Sequence, residues 1–462
     1  MRFEALQKQG RCVGTVSRGH STDVLLIALL AAAALQGGPQ GTNAAEEDFH
    51  VYTEHPRIFL KAQRLRLLTR ERQRETMRWE LLDALVRGGA PMKEPGFALA
   101  LYYAVSGDKA AGEKAVEWAM MGTDLRQLAI VFDWCHDLLG DARRRQLAAR
   151  IVRLRGQPGR DDVDAVRDRV LAAIAIADED QDGSERVLTD VVRRWWRVDT
   201  APRLASGELT IAHAELFALE EIMHALRDNL RIELRDNAGD YFTRIPIYEI
   251  ASYYPAPFPG RDNDCYVPAF SGGGEPDPRR AILSRAADLS LVAYDSNALE
   301  SQYVQGWAMQ DRFMLRDTLG APYEFLWGNP YQPGLSYFQL PLDYHDPISG
   351  ALFLRSSWDD DAKWFGLVGK EMQTFEDGHV KLVDGGDRPI EVGDTQVVIG
   401  KAKLAFESGG ETTYLVGLAP RHPYLVEADD EEMQELDTDR AGILELHFPQ
   451  NRKVRVSIHE QK

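Results

Sequence analysis

One segment of the chain gathers side chains that could transfer protons or bind charged ligands. Residues 253–264 (YYPAPFPGRDND) hold two tyrosines, an arginine and two aspartates. The prolines in this segment, and the glycines at 272–274 just after it, exclude a helix there. A long irregular segment inside a helical region is typical of a functional loop. Candidates for proton transfer are therefore Tyr253 and Tyr254, and candidates for ligand contacts are Arg261, Asp262 and Asp264.

The same side chains permit simpler roles. The two tyrosines could pack in the core, and the arginine and aspartates could form a salt-bridge cluster within the loop. The sequence alone leaves both alternatives open.

The elements around this loop fall into two groups. From residue 60 to about residue 319, apolar positions recur with helical spacing, and short joins rich in Gly, Asp or Pro separate the segments. Such consecutive helices form bundles, solenoids or (α/α) toroids, and periodicity does not distinguish these. After residue 330, short apolar runs between turn-forming residues predict the strands of a β-sandwich.

Length and charge limit the class of protein. The chain has 462 residues, whereas single cores stop growing near ~250–300 residues, so we expect two domains. The formal net charge is −18, which argues against a nucleic-acid partner because phosphate binding requires a basic face. An anionic substrate is still possible, since local basic residues can line a cleft in an acidic protein.

The N-terminus has the pattern of a signal peptide. A segment containing four basic residues precedes an uncharged apolar run at 24–35, and small residues follow at 41–45. The run is shorter than the ~20 apolar residues that cross a bilayer. We therefore predict a signal peptide over residues 1–45, a periplasmic or secreted protein, and no stable membrane anchor after cleavage. An uncleaved anchor or a buried helix is the alternative.

Cysteine content and motifs give no sign of a bound cofactor. Cys12 would leave with the signal peptide, and Cys135 and Cys265 could be joined in an oxidising compartment. The sequence has no zinc-ligand spacing, phosphate-binding glycine loop or nucleophile elbow. We therefore predict neither a metal nor a cofactor.

Four short segments, in this order, resemble the heparinase II/III-like superfamily of polysaccharide lyases. They are residues 55–60 (HPRIFL), 102–108 (YYAVSGD), 132–139 (FDWCHDLL) and 350–359 (GALFLRSSWD). The last resembles the strand that opens the family's β-domain, with its Arg-Ser-x-Trp core. The resemblance implies the same order as the pattern: an N-terminal (α/α) toroid over residues 46–330, then a C-terminal antiparallel β-sandwich over residues 331–462.

The chemistry that the resemblance implies is β-elimination in an acidic, uronate-containing polysaccharide. The reaction removes the proton beside the sugar carboxylate, so polar or cationic groups must first neutralise that carboxylate. A base must take the proton, and an acid must protonate the leaving oxygen. Tyrosine can do both when neighbouring cations lower its pKa from the unperturbed ~10.

Residue by residue, the resemblance assigns roles as follows. His213, in the segment AHAE at 212–215, lies where relatives often have Asn or His on a toroid helix. Tyr254 and His213 are accordingly the candidate catalytic residues. The candidate substrate-binding residues are Arg261, Arg355, Gln373, Tyr253 and Asp262. His213 could instead be a capping or buried histidine, and Arg355 could brace the interface between domains.

This chain departs from the family at one strand. Relatives have closely spaced histidines followed by Asp-x-Gly, whereas residues 369–378 read GKEMQTFEDG. Gln373 and the Asp377-Gly378 pair keep the frame, but His379 falls after the glycine. Glutamine can hydrogen-bond a carboxylate but cannot carry a proton.

Two other functions fit the sequence. A glycoside hydrolase on an (α/α) toroid would need two carboxylates, for which we choose Asp262 or Asp264 with Glu324. A catalytically silent carbohydrate-binding protein would instead use aromatic rings as a stacking platform. The candidates for that platform are Trp327, Tyr331, Tyr337 and Phe338.

Overall fold

The structure is a computed structural model. It describes residues 47–157, 161–259, 264–269, 277–309, 314–385, 388–400, 403–408, 410–429, 433–448 and 453–460. The predicted signal peptide at 1–45 lies outside these residues. The described residues from Phe49 onward form one compact unit. Among them, no helix combines the length and the apolar character needed to cross a membrane.

Helices occupy the first part of this unit. The α-helices are α1 (Ala62–Gln73), α2 (Met77–Arg87), α3 (Pro95–Ser106), α4 (Lys109–Met121), α5 (Leu125–Trp134), α6 (Asp141–Arg155), α7 (Val163–Ala175), α8 (Gln181–Asp190), α9 (Ala201–Ala205), α10 (His213–Leu230), α11 (Tyr241–Ser252), α12 (Pro278–Tyr294), α13 (Leu299–Ala308) and α14 (Gly320–Trp327). A π-helical stretch, Val191–Thr200, joins α8 to α9.

Aspartates fix the start of several helices. The side chain of Asp124 accepts a hydrogen bond from the backbone N–H of Gln127 at the start of α5, and Asp162 does the same for Ala165 in α7. Each satisfies a backbone N–H that has no partner within its own helix. Gly107, with a φ of 75°, ends α3 in the left-handed conformation that glycine adopts most readily.

Six helices pack in a closed order. α3 packs on α5, α5 on α7, α7 on α10, α10 on α12, α12 on α14, and α14 returns to α3. The intervening helices α4, α6, α8 and α13 lie against single members or pairs of this ring. Residues Arg126 to Trp134 of α5 are all buried, as expected for a helix with neighbours on every side. These contacts close a ring of six helices.

Strands occupy the rest of the chain. They are β1 (Asp343–Asp346), β2 (Ala351–Arg355), β3 (Trp364–Val368), β4 (Glu371–Glu376), β5 (His379–Leu382), β6 (Ile390–Val392), β7 (Thr395–Ile399), β8 (Lys403–Ser408), β9 (Thr412–Val416), β10 (Pro423–Ala428), β11 (Gln434–Asp437), β12 (Leu444–His447) and β13 (Val454–Glu460). Helices first and strands second is the order that the sequence predicted, and it is confirmed.

The described strands form three sheets. The first sheet has the order β1-β2-β3-β4-β5, the second β11-β10-β13-β8, and the third β12-β9-β7-β6. The prediction of a wholly antiparallel domain was wrong in one place, because β7 and β9 pair in parallel. β8 lies between them in the chain but pairs in the second sheet with β13, which leaves β9 free to enter the third sheet beside β7 in the same direction.

Side-chain alternation joins these sheets through apolar cores. In β9, Tyr414 and Val416 share a core with Leu352 of the first sheet, whereas Leu415 shares a core with Val456 of the second sheet. Successive side chains of a strand point to opposite faces, so the third sheet is covered on both faces. The other face of the first sheet meets the helical part.

Candidate functional site

Tyr254 lies on a hairpin-like segment that follows α11. The Tyr254 N–H donates to the carbonyl of Val267 at 3.0 Å, and Phe258 and Cys265 exchange two backbone hydrogen bonds. Tyr254 is fully buried, with its ring stacked on Phe375. The described part of this loop is therefore ordered by strand-like pairing and packed against the first sheet.

The hydroxyl of Tyr254 contacts Gln373 directly. It donates to Oε1 of Gln373 at 2.6 Å, and both side chains are completely buried. Gln373 lies in the middle of β4, on the face of the sheet that meets the hairpin. The structure thus joins two sequence-predicted residues that are 119 positions apart.

Arg355, at the end of β2, braces the start of the hairpin. Its guanidinium donates to the carbonyls of Tyr253 at 2.9 Å and Ala251 at 3.4 Å, and it lies 4.0 Å from the centre of the Trp358 ring. Burial lowers the pKa of Arg355 to about 9. Trp364 also donates to the Ala251 carbonyl, at 3.1 Å. These donors satisfy carbonyls at the C-terminus of α11 that have no partner within the helix.

His213 is bonded to a buried carboxylate on α11. Its backbone N–H and its Nδ1 lie 2.9 and 3.0 Å from the two oxygens of Glu249. His213 is the first residue of α10 and has a φ of 57°, which is uncommon for a residue other than glycine. Such conformations persist where the surroundings impose them, often at functional sites. Glu249 connects His213 to the helix that leads into Tyr253 and Tyr254.

Tyr253 contacts a second buried carboxylate. Its hydroxyl donates to Oδ2 of Asp288 at 2.8 Å, while Oδ1 of Asp288 has no hydrogen-bond partner among the described residues. Burial, reinforced by the charge of Glu249, raises the pKa of Asp288 well above its usual range. Asp288 borders a cavity of about 20 Å³ beside Asp264 and Trp307. That volume holds about one water molecule, so this cavity is not a sugar site.

The remaining predicted residues are distributed as follows. Arg261 and Asp262 lie outside the described residues. Asp264 is exposed at the cavity just described. Cys135 and Cys265 are buried thiols and form no disulfide with each other.

Glu324 does not suit the role that a hydrolase would give it. Its carboxylate is bonded to Arg285 at 2.9 Å and lies 3.3 Å from Arg78. It is 1% exposed, so these two arginines compensate its charge in the core. A glycosidase carboxylate must reach the sugar, and Glu324 is enclosed by its ion pairs.

Of the four aromatic rings predicted as a stacking platform, two are buried and two are exposed. Trp327 and Tyr337 are each 1% exposed and belong to the core, because Trp327 packs on Phe59 and Tyr337 packs on Trp307. Two of the four chosen rings are thus unable to stack on a sugar. Only Tyr331 and Phe338 remain exposed.

A charged groove at the helical ring was not predicted from the sequence. It has a volume of about 400 Å³ and is bordered by Asp124, Arg126, Arg167 and Tyr323. Arg126 bonds to Glu221 at 2.6 Å and to Glu94 at 3.0 Å, and its guanidinium lies 5.1 Å from the centre of the Phe97 ring. Most lining residues lie at or near helix N-termini, where polar residues are common in any helix and therefore do not indicate a groove. Only the closed order of the ring brings them together.

Comparisons with known proteins add little. No protein-family model and no curated protein matches the sequence. A solved structure named as a glycoside hydrolase is similar with a TM-score of 0.30 and 7% identity, covering 90% of this chain and 78% of that chain. Another, named as a GH127 beta-arabinofuranosidase, has a TM-score of 0.30 and 11% identity, covering 89% and 80%. TM-scores this low assign no function to this chain.

Proposed function

We propose that this is a carbohydrate-active protein that cleaves an acidic, uronate-containing polysaccharide by β-elimination. The observation that carries the proposal is the 2.6 Å hydrogen bond between Tyr254 and Gln373. It joins the candidate catalytic tyrosine to the strand position where the lyase resemblance places a histidine. In this proposal residues 46–330 are the toroid, residues 331–462 the β-sandwich, and residues 1–45 the signal peptide of a periplasmic or secreted protein.

The reaction assigns a task to each residue. Tyr254, acting as the phenolate, takes the proton beside the sugar carboxylate, the electrons of that C–H bond form the C4–C5 double bond, and the bond to the leaving oxygen breaks. His213 returns a proton to that oxygen, with Glu249 fixing the orientation of the ring through its bond to Nδ1. The amide N–H groups of Gln373 are donors of the kind that the sugar carboxylate requires.

In the proposed site, arginines supply the positive charge that the reaction requires. In the proposal Arg261 meets the sugar carboxylate and Asp262 contacts sugar hydroxyls, whereas Tyr253, which is buried and donates its hydroxyl to Asp288, holds the hairpin in place. Arg355 is held against the backbone carbonyl of Tyr253, the residue before the reacting tyrosine. Because Tyr254 is fully buried, substrate can reach its hydroxyl only when the hairpin separates from β4.

The decisive experiment is an absorbance assay on acidic polysaccharides. We expect release of 4,5-unsaturated uronates by the wild-type protein and a loss of at least ~100-fold in rate for Tyr254→Phe, since proton transfer by a positioned side chain contributes about that factor or more. The matched control is Tyr424→Phe, because Tyr424 is also buried, on β10, and its hydroxyl likewise makes a hydrogen bond, which it accepts from the backbone N–H of Ala419. Equal loss in both variants, or new reducing ends without absorbance, would contradict the proposal.

A second function is favoured by two features of the same site. Gln373 cannot carry a proton, and Tyr254 has no exposed surface. Both suit a catalytically silent protein that binds an acidic polysaccharide. Calorimetric binding of the polysaccharide, with no unsaturated product after prolonged incubation, would decide for this alternative.

A further inference from the structure

Two histidines and an aspartate converge at a place that the proposed reaction does not use. His55 precedes α1, His136 follows α5, and Asp178 follows α7. One ligand atom from each lies within 4.8 Å of the other two. Nε2 of His55 lies 3.5 Å from Oδ2 of Asp178, and Nε2 of His136 lies 3.9 Å from the same oxygen.

We propose that His55, His136 and Asp178 bind a divalent transition-metal ion, with Zn²⁺ as the preferred ion. Zinc takes imidazole nitrogens and carboxylate oxygens at ~2.0–2.2 Å, which places neighbouring ligand atoms about 3.3 Å apart in a tetrahedral site. The separations from both nitrogens to the aspartate oxygen are a few tenths of an ångström longer. Imidazole ligands disfavour Ca²⁺ and Mg²⁺, which take oxygen ligands.

The surroundings of His55 are those of a metal-bound histidine. Its Nδ1 lies 2.6 Å from Oδ1 of Asp133, and this contact directs Nε2 towards Asp178. Asp133 also accepts the backbone N–H groups of Arg57 and Ile58 at 2.7–2.9 Å, so it is rigidly placed. A carboxylate that orients the far nitrogen of a histidine is the usual support of a zinc ligand.

Asp178 and His136 also contribute ligand atoms to this cluster. Arg57 bonds to Oδ1 of Asp178 at 3.0 Å, which leaves Oδ2 directed at the histidines. Nε2 of His136 is a buried nitrogen that makes no hydrogen bond within the described residues. Burying a nitrogen without a hydrogen-bond partner is unfavourable, and binding of a ligand to that nitrogen would offset the cost.

The three side chains are partly exposed to solvent. The side chains of His55, His136 and Asp178 are 12%, 25% and 38% exposed. A zinc ion held by three protein ligands takes water as its fourth ligand, which solvent would supply here. The site lies apart from the Tyr254–Gln373 contact in sequence and packing, so this proposal does not depend on the proposed function.

Binding requires one local movement. The two imidazole rings are stacked with centroids 3.8 Å apart and planes 11° apart. A metal lies in the plane of each imidazole that binds it, and two stacked planes cannot both contain the ion. We therefore infer that the ring of His136, on a short turn and partly exposed, tilts when the ion binds.

The test is a titration of the full-length protein, freed of metal with EDTA, with Zn²⁺ and with Co²⁺. We expect one Zn²⁺ per chain by calorimetry, a Co²⁺ absorption spectrum of tetrahedral type, and a rise in Tm of roughly 3–5 °C at a hundredfold excess over Kd. His136→Gln and Asp178→Asn should each weaken binding by at least ~10-fold. His379→Ala removes an exposed histidine on β5 and should change nothing.

Several results of these titrations would contradict the metal site. Wild-type affinity in His136→Gln and Asp178→Asn, or a loss in His379→Ala as large as in those variants, would overturn the site. So would a protein that takes up no Zn²⁺ at all. Circular dichroism of the metal-free variants shows whether each is folded, and Asp178→Asn keeps the volume of the side chain, so a folding failure of one variant leaves the other informative.

Discussion

Glu220, on α10, is an acid kept neutral by its surroundings. It is 1% exposed, and its Oε2 has no hydrogen-bond partner among the described residues. Burial raises the pKa of Glu220 to about 8, although Arg235 and Arg227 act in the opposite direction. An uncharged carboxyl in the core avoids the cost of burying a charge without a close partner.

This raised pKa predicts a pH-dependent stability. Between the unfolded pKa near 4.5 and the folded value of about 8, the native protein holds one proton more than the unfolded chain, so stability falls as pH rises. The slope from this group is at most ~1.4 kcal/mol per pH unit. Glu220→Gln cannot ionise, so its free energy of unfolding should exceed that of the wild type by ~2–4 kcal/mol at pH 8 and be similar at pH 5.

Urea unfolding at pH 5, 6, 7 and 8 measures this difference. Glu215→Gln is the control, because Glu215 is an exposed carboxyl on the same helix, 3.4 Å from Arg280. Parallel pH profiles for wild type and Glu220→Gln would show that Glu220 ionises normally in the folded protein.

At the candidate site, sequence reasoning located some residues and missed others. The frame around Gln373 was identified from a family pattern and the tyrosine pair from its place beside an irregular loop, and the structure joins Tyr254 to Gln373. Glu249 and Asp288 were not identified, because each lies within a helix where an acid is normally solvated. Only the packing of α11 against α12 and the contact of Glu249 with His213 show that both acids are buried.

A substitution at Gly112, on α4, tests how closely α3 and α4 pack. A β-carbon at this position would lie 2.5 Å from Cδ1 of Leu138 and 2.8 Å from the ring of Tyr103. In an open helix, alanine is favoured over glycine by up to ~1 kcal/mol. We predict the opposite sign for Gly112→Ala, a loss of about 1–3 kcal/mol from overpacking, measured by urea unfolding.

A second glycine provides the control. Gly156 follows α6 in a helical conformation, and its nearest neighbour to an added β-carbon is 3.4 Å away. Gly156→Ala should be neutral or stabilising by a few tenths of a kcal/mol. If Gly112→Ala behaves in the same way, α3 and α4 are not packed as closely as described.

The sequence pattern predicted the elements that have an apolar run or face. It missed elements that lack one. The strands β2, β3 and β7 were predicted because apolar runs mark them. β1 (DYHD) and β11 (QELD) were missed, since their side chains are polar and pairing with β2 and β10 forms them. α11 was missed because Pro246 lies inside it, and proline normally ends a helix.

On the scale of the whole molecule, the helical and strand parts are joined by more than a linker. Tyr254 and Cys265 of the hairpin share an apolar core with Phe353 and Trp364 of the first sheet. Arg355 and Trp364 additionally bond to carbonyls at the end of α11. Contacts of this kind couple the unfolding of the two parts.

A partly buried ion pair crosses the same boundary. Arg244 of α11 bonds to Asp346 of β1, and Asp346 is 4% exposed. Removing one partner of a buried pair leaves a charge without compensation, so we predict that Arg244→Met lowers the free energy of unfolding by about 2–4 kcal/mol. Arg280→Met is the control, because Arg280 and Glu215 form an exposed pair worth ~0–1 kcal/mol.

Calorimetry of these proteins also tests how the chain is divided. The apolar core around Trp364 is intact in Arg244→Met, so we expect one unfolding transition in that variant as in the wild type, shifted to a lower temperature. Two independent domains at 46–330 and 331–462 would give a different result. Their transitions would separate in the wild type, and Arg244→Met would move them further apart. A single transition at the wild-type temperature in Arg244→Met would instead show that the pair adds no stability, and that the apolar contacts alone hold helices and strands together.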